Sequence, residues 1–197
     1  DEGYAITISP DGIFWWAETE RGYFYACQTV RQLLRIHRVN NELPTAVIVD
    51  YPDMPMRGIH DDYGRNQLPT MDDHKRTIET MALFKLNTYI FYIEPDHIVY
   101  DFDPTIGCDY DRFTKAELRE LVDYAKRYHV EIIPLIQSMG HMENLLKHPS
   151  YAHLAESPHS PDIAPVHPEA IELMEKIFTE VLPIFDSKWV HLGLDET

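Results

Sequence analysis

Residues 114–136, TKAELRELVDYAKRYHVEIIPLI, predict a helix followed directly by a buried strand. Thr114 and Glu117 have the capping-box spacing, in which two side chains satisfy backbone N–H groups at a helix start. Four apolar residues then recur at the spacing of one helix face: Leu118, Leu121, Val122 and Ala125. Val130–Ile136 is almost continuously apolar, which is typical of a strand buried on both faces of a parallel sheet.

The same alternation of strands and helices extends on both sides of this stretch. The predicted elements are strand Met56–His60, a helix from Thr70 to about Lys85, strand Thr88–Ile93, a helix from Pro168 to Leu182, and strand Trp189–Leu194. The helix after Pro168 is marked by the apolar residues Ile171, Met174, Phe178, Val181 and Leu182, and Trp189 is expected to pack in the core. Alternating strands and helices predict a parallel sheet with right-handed crossovers.

Two architectures fit this pattern, a doubly wound sheet and a (β/α)₈ barrel. The GxGxxG turn of a nucleotide-binding sheet is absent, and a complete barrel needs about 250 residues. We therefore predict an α/β fold in which residues 51–197 form about four βα units, the first half of a TIM barrel. Residues 1–50, with strands at 4–8, 13–17 and 46–49 around one helix, are predicted to end a small α/β domain.

Composition excludes several classes of protein. The 197 residues include 17 Lys and Arg against 33 Asp and Glu, a formal net charge of −16, which argues against nucleic-acid and anionic-membrane partners. At 44% hydrophobic residues the chain can build a core. Cys27 and Cys108 form no zinc or CxxC pattern and are expected to be free thiols. Few cysteines and the lack of a recognisable leader slightly favour a cytoplasmic location over secretion.

Ionisable and polar residues follow all four predicted strands of the second domain. In chain order they are Asp61, Asp62 and Arg65, then Glu94, Asp96 and His97, then Gln137 and His141, and finally His191, Asp195 and Glu196. Active sites of such barrels lie at the C-terminal ends of the strands. A solvated loop would also be polar, so this pattern favours an active site only modestly.

The adjacent carboxylates of Asp195 and Glu196 make the last strand the most informative element. Neighbouring strand residues point to opposite sides, so we expect these two acids to have different roles. A carboxylate beside another, if partly buried, has a raised pKa, which suits a general acid.

Several ordered motifs resemble glycoside hydrolase family 20, the β-N-acetylhexosaminidases. His191-x-Gly193-x-Asp195-Glu196 is similar to that family's His-x-Gly-Gly-Asp-Glu. Three further blocks resemble the same barrel, and an earlier one resembles the α/β domain before it: Arg57-Gly58-x-x-x-Asp62-x-x-Arg65, Met81-Ala82-x-x-Lys85-Leu86-Asn87, Gly140-His141, and Gly22-x-Phe24-Tyr25-Ala26-x-Gln28-Thr29.

The resemblance implies hydrolysis of a terminal β-linked N-acetylglucosamine or N-acetylgalactosamine by retaining, substrate-assisted catalysis. Glu196 would be the acid/base, and Asp195 would orient the 2-acetamido group, whose oxygen attacks the anomeric carbon. Arg65, Glu94 and His141 would bind the sugar or support the site, and His191 and Asp96 would support the carboxylates. No cofactor or metal is implied, and the partner is an N-acetylhexosamine-containing glycan.

The sequence also departs from the family pattern. Pro95 stands where the family has the first Asp of an Asp-Asp pair, so Glu94 is preferred over Asp96 as the sugar-binding acid. Gln137 replaces an expected acid, and Leu194 replaces the second glycine of the family's His-x-Gly-Gly-Asp-Glu. The remainder of the barrel is missing from these 197 residues, so the isolated chain is expected to be inactive.

Two other readings stay open. A non-catalytic sugar-binding barrel is one, and the intact carboxylate pair counts against it. A metal-dependent TIM-barrel hydrolase using His60, His141 and Asp195 is the other.

Overall fold

The computed structural model describes residues 2–39, 42–64, 67–107 and 112–197, which fold into α-helices and two β-sheets. Cys108 lies outside the described residues, and Cys27 is a free thiol. The elements are β1 (Tyr4–Ser9), β2 (Gly12–Ala17), α1 (Glu20–His37), β3 (Ala46–Asp50), β4 (Gly58–Asp61), α2 (Met71–Leu83), β5 (Thr88–Ile93), α3 (Lys115–Arg127), β6 (Glu131–Ile136), α4 (Glu143–Lys147) and α5 (Pro168–Val181).

The first sheet is antiparallel, with β1 between β2 and β3. Tyr4 of β1 lies opposite Ala17 on one side and Asp50 on the other. The inward face of β1 packs with α1, and the buried cluster is Tyr4, Ile6, Ile8, Ala17, Tyr25 and Ala26. The predicted elements of this segment are therefore present.

The second sheet is parallel, in the order β4-β5-β6. Thr88 at the start of β5 pairs with Gly58 and with Glu131, so the three strands end at the same edge. Residues of β5 and β6 are buried on both faces, as their apolar sequence predicts. The core of this sheet includes Ile78 of α2, Leu121 of α3 and Ile177 of α5.

Ionic and polar contacts join the two sheets. Arg57, just before β4, donates to Glu2 Oε2 at 2.6 Å, and Asn87 Nδ2 donates to Glu2 Oε1 at 3.1 Å. Lys85 Nζ lies 2.8 Å from Asp50 Oδ2 at the end of β3. Among the described helices, none is both long and apolar enough to cross a bilayer.

Helices α2 and α3 begin where the sequence predicts and end without glycine. Both start with complete capping boxes, from Thr70 and from Thr114. Both end in Schellman geometry, with Lys85 (φ 59°) and His129 (φ 57°) in the left-handed region normally taken by glycine. The left-handed residue turns the chain, so α2 ends at Leu83 rather than continuing to Lys85 as predicted.

Replacing Thr114 with Ala should lower the free energy of unfolding by about 1 kcal/mol. The Thr114 hydroxyl accepts a hydrogen bond from the Glu117 backbone N–H, and alanine leaves that donor without its cap. The measurement is urea unfolding of the full polypeptide. Thr179→Ala, on the exposed face of α5, is the matched control, and an equal effect from both variants would contradict the prediction.

The structure corrects three predictions about residues 168–194. Residues 189–194 form a single bridge between His191 and Leu135 rather than a strand, because the described chain pairs them with a neighbouring strand only at His191, and Gly193 then turns the backbone at φ 55°. Trp189 is 57% exposed and is not a core residue. Helix α5 buries Ala170, Leu173, Ile177 and Val181, so Ile171 lies outside the buried face.

Candidate active site

The Asp195 and Glu196 carboxylates lie at the edge of the parallel sheet where β6 ends. His141 Nε2 is 3.5 Å from Asp195 Oδ2 and 3.5 Å from Glu196 Oε2. The two acids therefore face the same imidazole, and the expectation that they point to opposite sides is wrong. The physical reason is local geometry: the segment is not a strand at this point, and Glu196 has a left-handed backbone (φ 58°).

The loop after β6 holds the segment that carries the two acids. Ser138 Oγ donates to the Leu192 carbonyl at 2.6 Å. A Cβ on Gly140 would lie only 3.1 Å from the Asp195 carbonyl oxygen, so the two backbones are in close contact. The carboxylates themselves stay open to solvent, with the Asp195 side chain 59% exposed and that of Glu196 76% exposed. Both carboxylate side chains are therefore more than half exposed in the described chain.

Asp195 has a second protein partner besides His141. Gln137, which is fully buried at the end of β6, donates from Nε2 to Asp195 Oδ1 at 3.4 Å. Desolvation raises the pKa of Asp195, but hydrogen bonds from its own backbone N–H, from Gln137 and from His141 outweigh that effect and lower the pKa below its ordinary value. Asp195 is thus favoured as an ionised carboxylate.

Buried groups extend the contacts of Gln137 into the interior. Its Nε2 also donates to the Tyr92 hydroxyl at 3.2 Å, and that hydroxyl donates to Glu94 Oε1 at 3.4 Å. Glu94, at 4% side-chain exposure, lies beneath Gly64, where a Cβ would sit 2.6 Å from Glu94 Oε1. The structure thus surrounds Glu94 with protein groups, and direct sugar binding by this acid stays a prediction.

The other predicted site residues occupy different places. His191 Nδ1 accepts from the Gly193 N–H at 3.0 Å, so His191 shapes the turn that leads to Asp195. Asp96 lies in a 3₁₀ turn (Pro95–His97) beside Glu94. Arg65 lies outside the described residues. Asp61 accepts a hydrogen bond from Tyr63 at 2.9 Å.

Two groups of three side chains bring potential metal ligands together in the described parts of the chain. One is His141, Asp195 and Glu196, and the other is Glu94, Asp96 and His97, with ligand atoms within 4.8 Å of one another in each. His60 belongs to neither group of the described residues; its ring lies 6.4 Å from that of Tyr92 and 6.3 Å from that of His191. The metal set of His60, His141 and Asp195 considered from the sequence is therefore not assembled.

Tyr92 contributes to the site although the sequence did not indicate it. Gly193 was part of the motif that carries the two acids, and Gln137 was one of the polar residues at the strand ends and the replacement of an expected acid. Tyr92 is one of several apolar or aromatic residues in a buried strand, and nothing in its sequence context separates it from core residues. The position of Gln137 at a strand end was the available indication, but its partners come from two other segments of the chain.

Comparison with known proteins gives two family models that match different parts of the chain. The model described as glycosyl hydrolase family 20, catalytic domain, matches residues 107–197. The model described as glycosyl hydrolase family 20, domain 2, matches residues 1–51. The two matches do not overlap: the catalytic-domain match includes β6 of the parallel sheet, and the domain 2 match includes the antiparallel sheet.

Relatives and solved structures agree with these models. A β-hexosaminidase of Akkermansia muciniphila is 27% identical over 226 residues, covering 99% of this chain and 45% of its own length. Hexosaminidase D of Bos taurus is 34% identical over 86 residues, covering 43% of this chain and 25% of that protein. The Streptomyces coelicolor β-N-acetylhexosaminidase structure superposes with a TM-score of 0.85 at 25% identity, covering all of this chain and 46% of that one.

Proposed function

The chain belongs to glycosyl hydrolase family 20, and from this membership we propose that it carries the acid–base pair of a β-N-acetylhexosaminidase. It spans less than half the length of the first relatives it matches. We propose that β4, β5, β6 and the bridged segment 189–194 are the first half of a (β/α)₈ barrel, and that residues 1–50 end the preceding domain. The remaining barrel strands would supply further sugar contacts, so the 197 residues alone are expected to be inactive.

The observation that carries this proposal is the placement of two adjacent carboxylates around one histidine. Asp195 is held by Gln137 on one oxygen and faces His141 with the other. Among the described residues, Glu196 forms an ion pair with His141, and its side chain is 76% exposed and therefore accessible to a ligand. One acid is thus fixed and ionised, and its neighbour is accessible, which suits two different roles in one reaction.

In the first step, Glu196 donates its proton to the glycosidic oxygen while the bond from that oxygen to the anomeric carbon breaks. The acetamido oxygen of the substrate forms the new bond to the anomeric carbon. Asp195 accepts a hydrogen bond from the acetamido N–H and balances the positive charge that develops on this group. The sugar supplies the nucleophile, so no second enzyme carboxylate is needed on the opposite face of the ring.

In the second step, Glu196 takes a proton from water as the water oxygen attacks the anomeric carbon. The bond to the acetamido oxygen breaks, which restores the acetamido group and leaves the sugar with retained configuration. Glu196 is protonated again and ready for the next cycle. Glu196 thus acts first as the general acid toward the leaving group and then as the general base toward water.

The activity is tested with 4-nitrophenyl glycosides and the full polypeptide that contains this chain. We expect release of 4-nitrophenol from the N-acetyl-β-glucosaminide or N-acetyl-β-galactosaminide and at least 10²-fold lower kcat/KM on the β-glucoside. The β-glucoside has a hydroxyl in place of the acetamido group and therefore lacks the nucleophile. Equal rates on both types of sugar would contradict substrate assistance.

Two further outcomes of this assay distinguish the other readings. Prior treatment with a chelator should leave the activity unchanged, because protonation and attack by the acetamido group need no metal ion; loss of activity would favour a metal-dependent hydrolase. Binding of N-acetylglucosamine without turnover of any of the glycosides would favour a non-catalytic sugar-binding barrel.

A further inference from the structure

Gln137 connects Asp195 with the buried Glu94 through a chain of hydrogen bonds. Its amide nitrogen reaches Asp195 Oδ1 at 3.4 Å and the Tyr92 hydroxyl at 3.2 Å, and Tyr92 in turn donates to Glu94. The donors and acceptors are consistent: a primary amide has two N–H groups, an ionised carboxylate only accepts, and the Tyr92 hydroxyl accepts one bond while donating another.

Gly193 makes room for this amide. A Cβ at Gly193 would lie 2.2 Å from Gln137 Oε1 and 2.7 Å from its Cδ, far inside contact distance. Gly193 also has φ 55°, so a side chain there would be strained in addition to clashing. The amide is thereby enclosed between the bridged segment and β5, with Oε1 toward Gly193 and Nε2 toward Asp195.

We propose that Gln137 is a positioning residue for the hydrolysis, a neutral donor that holds Asp195 as an ionised acceptor for the substrate acetamido group. This rests on the proposed function. A carboxylic acid at position 137 would place two acids about 3.4 Å apart, and such a pair shares a proton and titrates as a unit. The amide makes the same contact without titrating, so Asp195 keeps one orientation and one charge across a wider pH range.

Other titratable groups of the described chain surround Asp195 and set the background for this effect. His141 and Glu196 lie beside Asp195 at the edge of the sheet where β6 ends. Asp162 is also close, because a Cβ on Gly140 would lie 3.2 Å from Asp162 Oδ1 and 3.1 Å from the Asp195 carbonyl oxygen. The cationic form of His141 attracts the Asp195 carboxylate, whereas the ionised carboxylates of Glu196 and Asp162 repel it. Gln137, unlike these groups, does not titrate, so its effect on the Asp195 carboxylate can be separated from theirs by substitution.

The test compares pH profiles of kcat/KM for Gln137→Glu, Gln137→Met and the wild type in the full polypeptide. In Gln137→Glu the acid pair holds one proton at low pH, which preserves the contact, and loses it as pH rises, which leaves two repelling carboxylates. The ratio of Gln137→Glu to wild-type activity should therefore fall at least tenfold between pH 5 and pH 8. Gln137→Met, which has neither a donor nor a titrating group, should be slower by a factor of about ten at pH 8, and its ratio to wild-type activity should not fall between pH 5 and pH 8.

Controls and contrary outcomes separate positioning from mere packing. Gln32→Glu on α1, where the wild-type amide donates to the Leu83 carbonyl and not to Asp195, should keep the wild-type profile. If the Gln137→Glu profile runs parallel to the wild-type profile, Gln137 is a packing residue and the proposal is overturned.

A second readout does not depend on turnover. Carboxyl carbon-13 NMR of aspartate-labelled protein, with the Asp195 resonance assigned through Asp195→Asn, should show Asp195 titrating at higher pH in Gln137→Met than in the wild type. Unchanged titration would overturn the positioning role even if the enzyme is active. If Gln137→Met shows this shift but the wild type hydrolyses no hexosaminide, the proposed function is overturned while the contact between Gln137 and Asp195 stands.

Discussion

Glu196→Gln should lower kcat for an N-acetyl-β-hexosaminide with an alkyl or sugar leaving group by about 10²- to 10⁴-fold, the usual contribution of a general acid/base. Glutamine preserves the side-chain length and the approach to His141 but has no proton to donate to the glycosidic oxygen. The measurement is initial rate against substrate concentration with the full polypeptide. KM should change less than kcat, because the missing proton transfer occurs in the transition state.

Leaving-group dependence makes this prediction specific to acid catalysis. The first step with a 4-nitrophenyl leaving group needs less protonation, so the loss should be smaller for that substrate than for a disaccharide. Glu175→Gln, an exposed glutamate on α5, is the matched control and should retain wild-type rates. Unchanged activity in Glu196→Gln would remove Glu196 from the mechanism.

Gly58→Ala should destabilise the protein by about 3 kcal/mol, the upper end of the typical cost of forcing extra volume into space that other atoms already fill. A Cβ at Gly58 would lie 2.0 Å from the Thr88 carbonyl oxygen and 2.8 Å from the Thr88 Cβ. Thr88 is the residue that pairs with Gly58 in the parallel sheet, and the obstructing oxygen belongs to the backbone, so neither atom can move without separating β4 from β5.

The same substitution elsewhere provides the control for this prediction. A Cβ at Gly3 would meet its nearest atoms at 3.6 Å, an ordinary contact distance, so Gly3→Ala should change the free energy of unfolding by less than about 0.5 kcal/mol. Urea unfolding of both variants in the full polypeptide compares them directly. Equal stability of the two variants would show that β4 can shift to accept a side chain.

Local sequence was sufficient to predict where α2 and α3 begin, because the capping groups lie within three residues of each helix start. The ends were less predictable, since Lys85 and His129 adopt a backbone conformation that L-residues seldom take. Their left-handed geometry is stabilised by the hydrogen bonds of the Schellman motif together with the packing of each helix on the sheet. Neither residue type indicates such an end by itself.

The prediction of a strand at residues 189–194 was wrong because an apolar sequence does not guarantee pairing with a neighbouring strand. Residues 189–194 have the composition of a buried strand, yet the described chain pairs them only through His191 and Leu135. Strand structure depends on hydrogen bonds to a neighbour, which composition cannot supply.

The sequence by itself determined the family resemblance, the alternation of strands and helices, and the choice of Asp195 and Glu196 as the acid pair. These follow from residue types at short spacing along the chain. The tertiary structure alone decided that both acids face His141, that Gln137 holds Asp195, and that Glu94 lies buried behind Tyr92. Those contacts join the ends of β5 and β6 to the last residues of the chain, and groups so far apart in sequence become neighbours only when parallel strands align their carboxyl ends at one edge.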